Sequence, residues 1–315
     1  MHAMHAGCVR CSDDGLKESK MVRIGVVGLG AMGGPMARNL VKAGHAVKVH
    51  DKVSVAVGAV VATGAQPANH DSVARDVDVV ITMLRTGDEV AEVLTGEAGL
   101  WVKAAENTLF IDASTIDVGT ARVLATRAAA SGMAMIDAPV SGGVSGAEAA
   151  TLIFMVGGSA RSAARAKPIL QSMGKAIVHV GESGTGQIAK ICNNMILGVS
   201  MIAVAEAFTL AGKLGLEPAV LQKIVSQSSG DCWVLNQNHP VPGMVPTSAA
   251  NDDYRPGFSS GLMLKDLYLS QNAAHDCGAC TPLGAKAAEW YEEFVQDGNA
   301  DLDFAAIIRK IQSSE

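Results

Sequence analysis

The segment Ile24-Gly25-Val26-Val27-Gly28-Leu29-Gly30-Ala31-Met32-Gly33 constrains this chain more than any other. It closes a β-rich run over residues 22–28 and opens residues 32–43, whose apolar positions recur at helical spacing before Gly44, a residue suited to a helix C-terminal cap. In that context each glycine of G-x-G-x-x-G has a reason. Gly28 permits the tight turn, Gly30 lets a pyrophosphate approach the backbone, and Gly33 allows close packing of helix on strand. The helix N-terminus adds free N–H groups and the positive end of its dipole. A glycine-rich turn alone would say little. Asp51, however, follows the second β-rich run, 23 residues beyond Gly28, and a carboxylate there accepts from ribose hydroxyls. A dinucleotide is therefore the expected cofactor, bound through Gly28, Leu29, Gly30, Met32, Gly33 and Asp51. The charge of Asp51 repels a 2′-phosphate, which favours NAD over NADP, and the adjacent Lys52 tempers that preference.

Further β-rich runs at 46–50, 77–83, 108–112, 133–137 and 152–156 alternate with helical stretches, and a last one at 176–180 precedes Gly181, Gly184 and Gly186. Such alternation implies a parallel sheet with helices on both faces. Beyond the glycine cluster the pattern turns to long helical periodicity over 187–214, 218–226, 262–277 and 284–296. The expected fold class is α/β, a Rossmann-type doubly wound sheet followed by an all-helical C-terminal domain. Residues 1–20 read as a disordered extension, with Met21 an alternative start. Residues 21–183 read as a dinucleotide-binding domain and 184–315 as a helical domain for substrate and oligomerisation. Between the helices, residues 231–261 carry Pro240, Pro242, Pro246 and Pro256, so this stretch is expected to be a long ordered loop.

Composition narrows the partners. A formal charge of −6 without any Lys/Arg run leaves no electrostatic footprint for nucleic acid or an anionic membrane. The apolar run 195–205 is bracketed by Lys190, Asn193, Asn194 and Glu206, too closely for a membrane span, and reads as a buried helix. Residues 1–20 lack the apolar core of a secretory signal and the Arg-rich pattern of a transit peptide. A cytoplasmic location is expected, or the mitochondrial matrix for a eukaryotic chain. Six cysteines include two CxxC pairs, Cys8/Cys11 and Cys277/Cys280, too far apart and too poor in neighbouring histidines for a zinc site; free thiols and no metal are expected.

Four segments resemble the β-hydroxyacid dehydrogenases, relatives of 6-phosphogluconate dehydrogenase. They are Gly28-Leu29-Gly30-Ala31-Met32-Gly33-Gly34-Pro35-Met36-Ala37, Asp137-Ala138-Pro139-Val140-Ser141-Gly142-Gly143, Gly186-Gln187-Ile188-Ala189-Lys190-Ile191-Cys192-Asn193-Asn194, and Lys265-Asp266-Leu267. They span the chain from about residue 22 to its end in the family's order. The resemblance implies hydride transfer between NAD and a small hydroxy acid. It also implies a substrate loop at Ser141, Gly142 and Gly143, a catalytic helix carrying Lys190, and cofactor contacts at Met83, Leu84, Thr115 and Lys265. Arg85 departs from the proline that commonly follows Met-Leu there. Residues 228–233, 240–243 and 261–267 resemble more narrowly the branch that oxidises 3-hydroxyisobutyrate to methylmalonate semialdehyde in valine breakdown. Asp231 and His239 are departures from that branch. Family members form dimers or tetramers, so a homodimer or homotetramer is expected.

Elementary chemistry agrees with these roles. Lys190 and Asn194, four apart on a helix, share one face. Oxidising an alcohol requires a proton acceptor, and a lysine in an apolar helix has its pKa lowered towards that task. Asn194, with Asn193 as a further candidate, would hold the hydroxyl. Ser141-Gly142-Gly143 reads either as a carboxylate cradle or as an ordinary turn, Lys265 as a cofactor contact or a solvated lysine, and Trp233 as an apolar wall to the substrate or a core tryptophan. Siblings acting on tartronate semialdehyde, serine or succinic semialdehyde share everything but the pocket. A dinucleotide-binding protein without catalysis is the alternative of another class.

Overall fold

The computed structural model describes residues 21–313; the expected extension over 1–20, with Cys8 and Cys11, lies outside the described residues. Nine strands form one sheet: β1 (Arg23–Val27), β2 (Ala46–His50), β3 (Gln66–Pro67), β4 (Val79–Thr82), β5 (Leu109–Asp112), β6 (Ala134–Asp137), β7 (Val140–Ser141), β8 (Leu152–Gly157) and β9 (Gly174–Gly181). Residues of β1 point alternately to two cores, as a strand buried on both faces requires. Ile24 and Val26 pack with Met36, Leu40 and Val49 on one side, while Val27 packs with Val80, Leu94 and Phe110 on the other. The first six strands run parallel in the order β3-β2-β1-β4-β5-β6, the doubly wound arrangement in which ligands bind outside the strands' C-terminal ends.

The sheet is parallel apart from β8 and β9, which run in the opposite sense. β8 runs antiparallel to β6 and β7, and only β9 beside it is parallel. The link from β6 to β8 holds only β7 and a six-residue helix, so the chain returns beside β6 in the opposite sense without crossing the sheet.

Twelve α-helices lie in the described chain: α1 (Gly33–Lys42), α2 (Ser54–Val61), α3 (Gly87–Thr95), α4 (Val118–Ala130), α5 (Gly143–Glu148), α6 (Ala160–Leu170), α7 (Thr185–Lys213), α8 (Pro218–Val225), α9 (Trp233–Gln237), α10 (Ser260–Cys277), α11 (Pro282–Phe294) and α12 (Ile307–Ser313). α7 is long and apolar enough to cross a membrane by composition alone. In this fold its Met201, Val204, Ala205 and Phe208 instead build a helical core with Met263, Leu267, Tyr291 and Phe304.

The proline-rich stretch is ordered by one buried acid. Asp303 accepts from Asn238 Nδ2 (2.9 Å) and Ala305 N (3.1 Å) through Oδ1. Through Oδ2 it accepts from Gly257 N (3.0 Å) and Phe258 N (3.1 Å). His239, at one of the departures from the resemblance, is buried edge-on to Phe208 and accepts from Val241 N. Burial pushes its imidazole down to about 4, so the ring is neutral at physiological pH. Replacing Asp303 by alanine orphans four donors, and it should lower stability in urea unfolding by about 3 kcal/mol or more. An unchanged urea midpoint would show that the loop is held by its prolines alone.

Candidate active site

The C-terminal ends of β1 and β2 carry the expected dinucleotide loop. Gly28 lies at φ 91°, and a Cβ there would stand 2.2 Å from Met83 O; at Gly33 it would stand 2.0 Å from Gly28 O. Neither position accepts any other residue. At Gly30 nothing lies within 4 Å of such an atom, so the absence of a side chain leaves open space beside the backbone. The start of α1 adds a second sign of a ligand site. Its N-cap, Met32, supplies no side-chain hydrogen bond, and its first turn has no acid. An uncapped helix terminus beside a side-chain-free gap fits a pyrophosphate. Asp51 is held by Leu29 N on Oδ2 (2.6 Å) and Val53 N on Oδ1 (2.7 Å). Leu29 therefore serves through its amide to orient Asp51, its side chain being buried.

Next along the sheet edge, Asp112 Oδ1 accepts from Thr82 Oγ1 (2.8 Å) and Ser114 Oγ (2.6 Å), and Ser114 Oγ accepts from Leu84 N (2.9 Å). This buried chain fixes the Met83-Leu84 turn against Ser114-Thr115. Arg85 is exposed and pairs with Glu89 at 2.9 Å. Its own N–H also donates to Glu89, and Thr86 caps α3, so the turn is set without the proline.

On α7, which packs against this sheet edge through Gln187, stands the lysine expected to be the base. Lys190 is buried, with Nζ 3.2 Å from Asn194 Oδ1 and 5.9 Å from the centroid of Phe258. Burial lowers its pKa; the charge of Asp266 opposes that, and the charge of Lys265 reinforces it. Asn194 Nδ2 donates to Asp266 Oδ2 at 2.6 Å, and Asn193, exposed, donates to Asn194 Oδ1 at 2.9 Å. Lys265 Nζ reaches from α10 to Thr115 O (2.7 Å) and Arg85 O (3.3 Å), and lies 3.4 Å from Asp266 Oδ1. Gly142 and Gly143 adopt φ 133° and 62°. A Cβ on Gly143 would meet Gly257 O at 3.7 Å, so this loop faces the segment that carries Phe258. Trp233 begins α9 and is 55% exposed. That excludes the core role considered for it, because the buried side of α9 is filled by Val234 and Leu235.

Residues 23–181 match the model of the NAD binding domain of 6-phosphogluconate dehydrogenase. Residues 184–311 match the model described as NAD-binding of NADP-dependent 3-hydroxyisobutyrate dehydrogenase. A probable 3-hydroxyisobutyrate dehydrogenase of Mycobacterium tuberculosis is 48% identical over 294 residues, which cover 93% of this chain and 99% of that protein. The chain belongs to the β-hydroxyacid dehydrogenase family. Two Pseudomonas aeruginosa members lie nearly as near. A 3-hydroxyisobutyrate dehydrogenase is 48% identical over 91% of this chain and 97% of its own length, and an NAD-dependent L-serine dehydrogenase is 44% identical over the same shares. The solved Mycobacterium tuberculosis 3-hydroxyisobutyrate dehydrogenase with L-serine superposes with a TM-score of 0.88 over 93% of this chain and all of that one, at 48% identity. This β-hydroxyacid dehydrogenase binds NAD and acts as an NAD-dependent hydroxyacid dehydrogenase.

Four groups at the site have roles that the sequence did not mark. Asp266 lies in the segment Lys265-Asp266-Leu267, and nothing in the sequence marks it as the buried partner of Asn194. Phe258 lay within the proline-rich stretch. Gln187 is three residues before Lys190, a spacing that puts both on one side of the helix. Asp112 belongs with them. Burial pushes its carboxyl up to about 6 against the hydrogen bonds from Ser114 and Thr82, and its Oδ2 has no partner. With the folded pKa above the unfolded one, the folded state holds the proton more tightly. Stability from this group is therefore present below pH 4 and lost as pH rises through 6. Asp112→Asn keeps an oxygen acceptor and removes the titration. Its stability relative to the parent should rise by about 1 kcal/mol between pH 5 and pH 7.5 in paired urea melts, and a difference independent of pH would refute the assignment.

Proposed function

We propose that the chain oxidises 3-hydroxyisobutyrate to methylmalonate semialdehyde with NAD, using Lys190 as the base. The observation that carries this reading is the buried Lys190 amino group hydrogen-bonded to Asn194, on a helix joined through Gln187, as α10 is through Lys265, to the strand edge that carries the dinucleotide loop. When bound, NAD supplies the acceptor for the hydride that leaves the hydroxymethyl carbon. The remaining work falls to this chain. Neutral Lys190 takes the hydroxyl proton as the C–H bond breaks, so the alcohol loses two electrons and two hydrogens and leaves as the aldehyde. Asn194 orients the hydroxyl, with Asn193 at the rim of the same cluster. Ser141 with the backbone of Gly142 and Gly143 receives the carboxylate. Lys265 closes the site from α10 over the Thr115 and Arg85 carbonyls, beside Met83 and Leu84. In this reading residues 21–183 bind the cofactor and 184–315 complete the site and self-associate. Exposed Ile196 and Leu210 on α7, Leu214 just beyond its end and Ile224 on α8 favour a homodimer or homotetramer. The expected location is the cytoplasm, or the mitochondrial matrix in a eukaryote.

A second substrate is favoured by the relatives' names. L-serine differs from 3-hydroxyisobutyrate only by an ammonium in place of the methyl, and tartronate semialdehyde in the reverse direction is a further sibling. Comparing kcat/KM for 3-hydroxyisobutyrate, L-serine and glycerate at one pH separates them. A preference for serine would overturn the substrate assignment and leave the chemistry standing.

Lys190→Ala should lower kcat about 10²–10⁴-fold with NAD affinity nearly unchanged, because loss of a general base acts on the chemical step. Steady-state rates together with fluorescence titration of NADH decide this, and near-native kcat would transfer the role of base to Lys265. Asn194→Ala should slow turnover less, since it orients the hydroxyl and moves no proton. NAD should be preferred over NADP, and Asp51→Ser should narrow the ratio of their kcat/KM values. A parent enzyme that prefers NADP would remove the role given to that carboxylate.

A further inference from the structure

We propose that Gln187 is a positioning residue of this enzyme, fixing the distance between Lys190 and the strand-end loop that faces the cofactor. The inference rests on the reading of Lys190 as the base. Gln187 is wholly buried. Its Nε2 donates to Ser114 O at 2.8 Å, and its Oε1 accepts from Ile116 N at 3.2 Å. Those are the two backbone groups on either side of Thr115, so a single amide holds the loop from both sides, as a neighbouring strand would. The Thr115 carbonyl between them takes the Lys265 ammonium at 2.7 Å. Gln187 is tied at its own backbone as well, where its N–H donates to Asp137 Oδ2 at 3.0 Å.

Lys190 follows Gln187 by three residues on the rigid helix α7. The base is thus joined to the Thr115 loop by less than one helical turn and two hydrogen bonds. No other side chain reproduces this link. Asparagine is one methylene short, an ionised glutamate has no donor for Ser114 O, and methionine has neither donor nor strong acceptor. Hydride and proton must leave the substrate together, and a shift of about 1 Å in such a constellation costs on the order of 10²-fold in rate.

Two variants test the role beside the parent and Lys190→Ala, with 3-hydroxyisobutyrate and L-serine as substrates. Gln187→Met keeps length and burial but removes both hydrogen bonds. It should lower kcat about 10–100-fold, leave the Kd of NADH within about threefold, and accelerate hydrogen exchange across residues 114–118. Gln187→Glu offers a readout that a merely structural role would not move. Its carboxyl donates to Ser114 O when protonated and repels that carbonyl when ionised, so the ratio of variant to parent kcat should fall as pH rises from about 6 to 9. Variants that keep parental kcat within about twofold, or a pH-independent ratio, would overturn the proposal. A parent inactive on every hydroxy acid tried would sink the substrate reading instead. The exchange measurement needs no substrate, and unchanged protection of residues 114–118 in Gln187→Met would then overturn the positioning role by itself.

Discussion

The carboxylate of Asp137, at the end of β6, is the interaction on which the rest of the molecule depends. It accepts from Gly184 N at 2.7 Å and Gln187 N at 3.0 Å, and so places a negative charge on the positive end of α7 while satisfying two of the helix's otherwise orphaned donors. The approach is close enough to dictate neighbouring residues. A Cβ at Gly157 would stand 2.6 Å from this carboxylate and one at Gly186 2.8 Å from it. Because α7 is a single helix of 29 residues, this anchor at its start fixes where Lys190 and Asn194 stand. It also sets where the helical core, further along the same helix, meets the sheet.

What could be read from the sequence follows from how far each residue's role is encoded locally. β1, β4 and β5 were legible because strands buried on both faces are continuous apolar runs. β3 and β7, two residues each, have no period to detect. The direction of β8 depends on the length of its connection, which composition does not report. α2, Ser-Val-Ala-Val-Gly-Ala-Val-Val, is apolar on all sides with only Val60 buried, so its pattern carries no helical face. At the site, the meeting of Lys190 with Asn194 was legible from their spacing on one helix, whereas the roles given to them come from the family resemblance. Asp266 and Gln187 were not legible, because their partners are 72 and 73 residues away in the chain. Their meaning exists only once α10 and the loop after β5 are laid against α7. Trp233 shows the converse. A large apolar residue in an ordered loop was weighed as wall or core, and its exposure removes the second option.

The charges around the cleft bear on the choice between the two substrates that the relatives suggest. Lys265 pairs with one oxygen of Asp266 and Asn194 donates to the other, and Lys190 reaches that carboxylate only through Asn194. Burial and, less strongly, the charge of Lys265 push Lys190 towards its neutral form against the charge of Asp266, and a substrate carboxylate bound at Ser141 to Gly143 would side with Asp266 by favouring the ammonium. Serine would bring a further ammonium into this cluster, and its charge would depress Lys190 again unless an acceptor lay within hydrogen-bond reach. A methyl in the same place asks only for apolar contact, which the ring of Phe258 near Lys190 is placed to give. Discrimination by a methyl-sized group is worth about 1–3 kcal/mol, whereas an ammonium buried without an acceptor costs more than that. A charged substituent would therefore be the more sensitive of the two to any change in the charge of Asp266 or Lys265, and Asp266 Oδ1, paired with Lys265 but buried without a hydrogen-bond partner, is the acceptor nearest to hand.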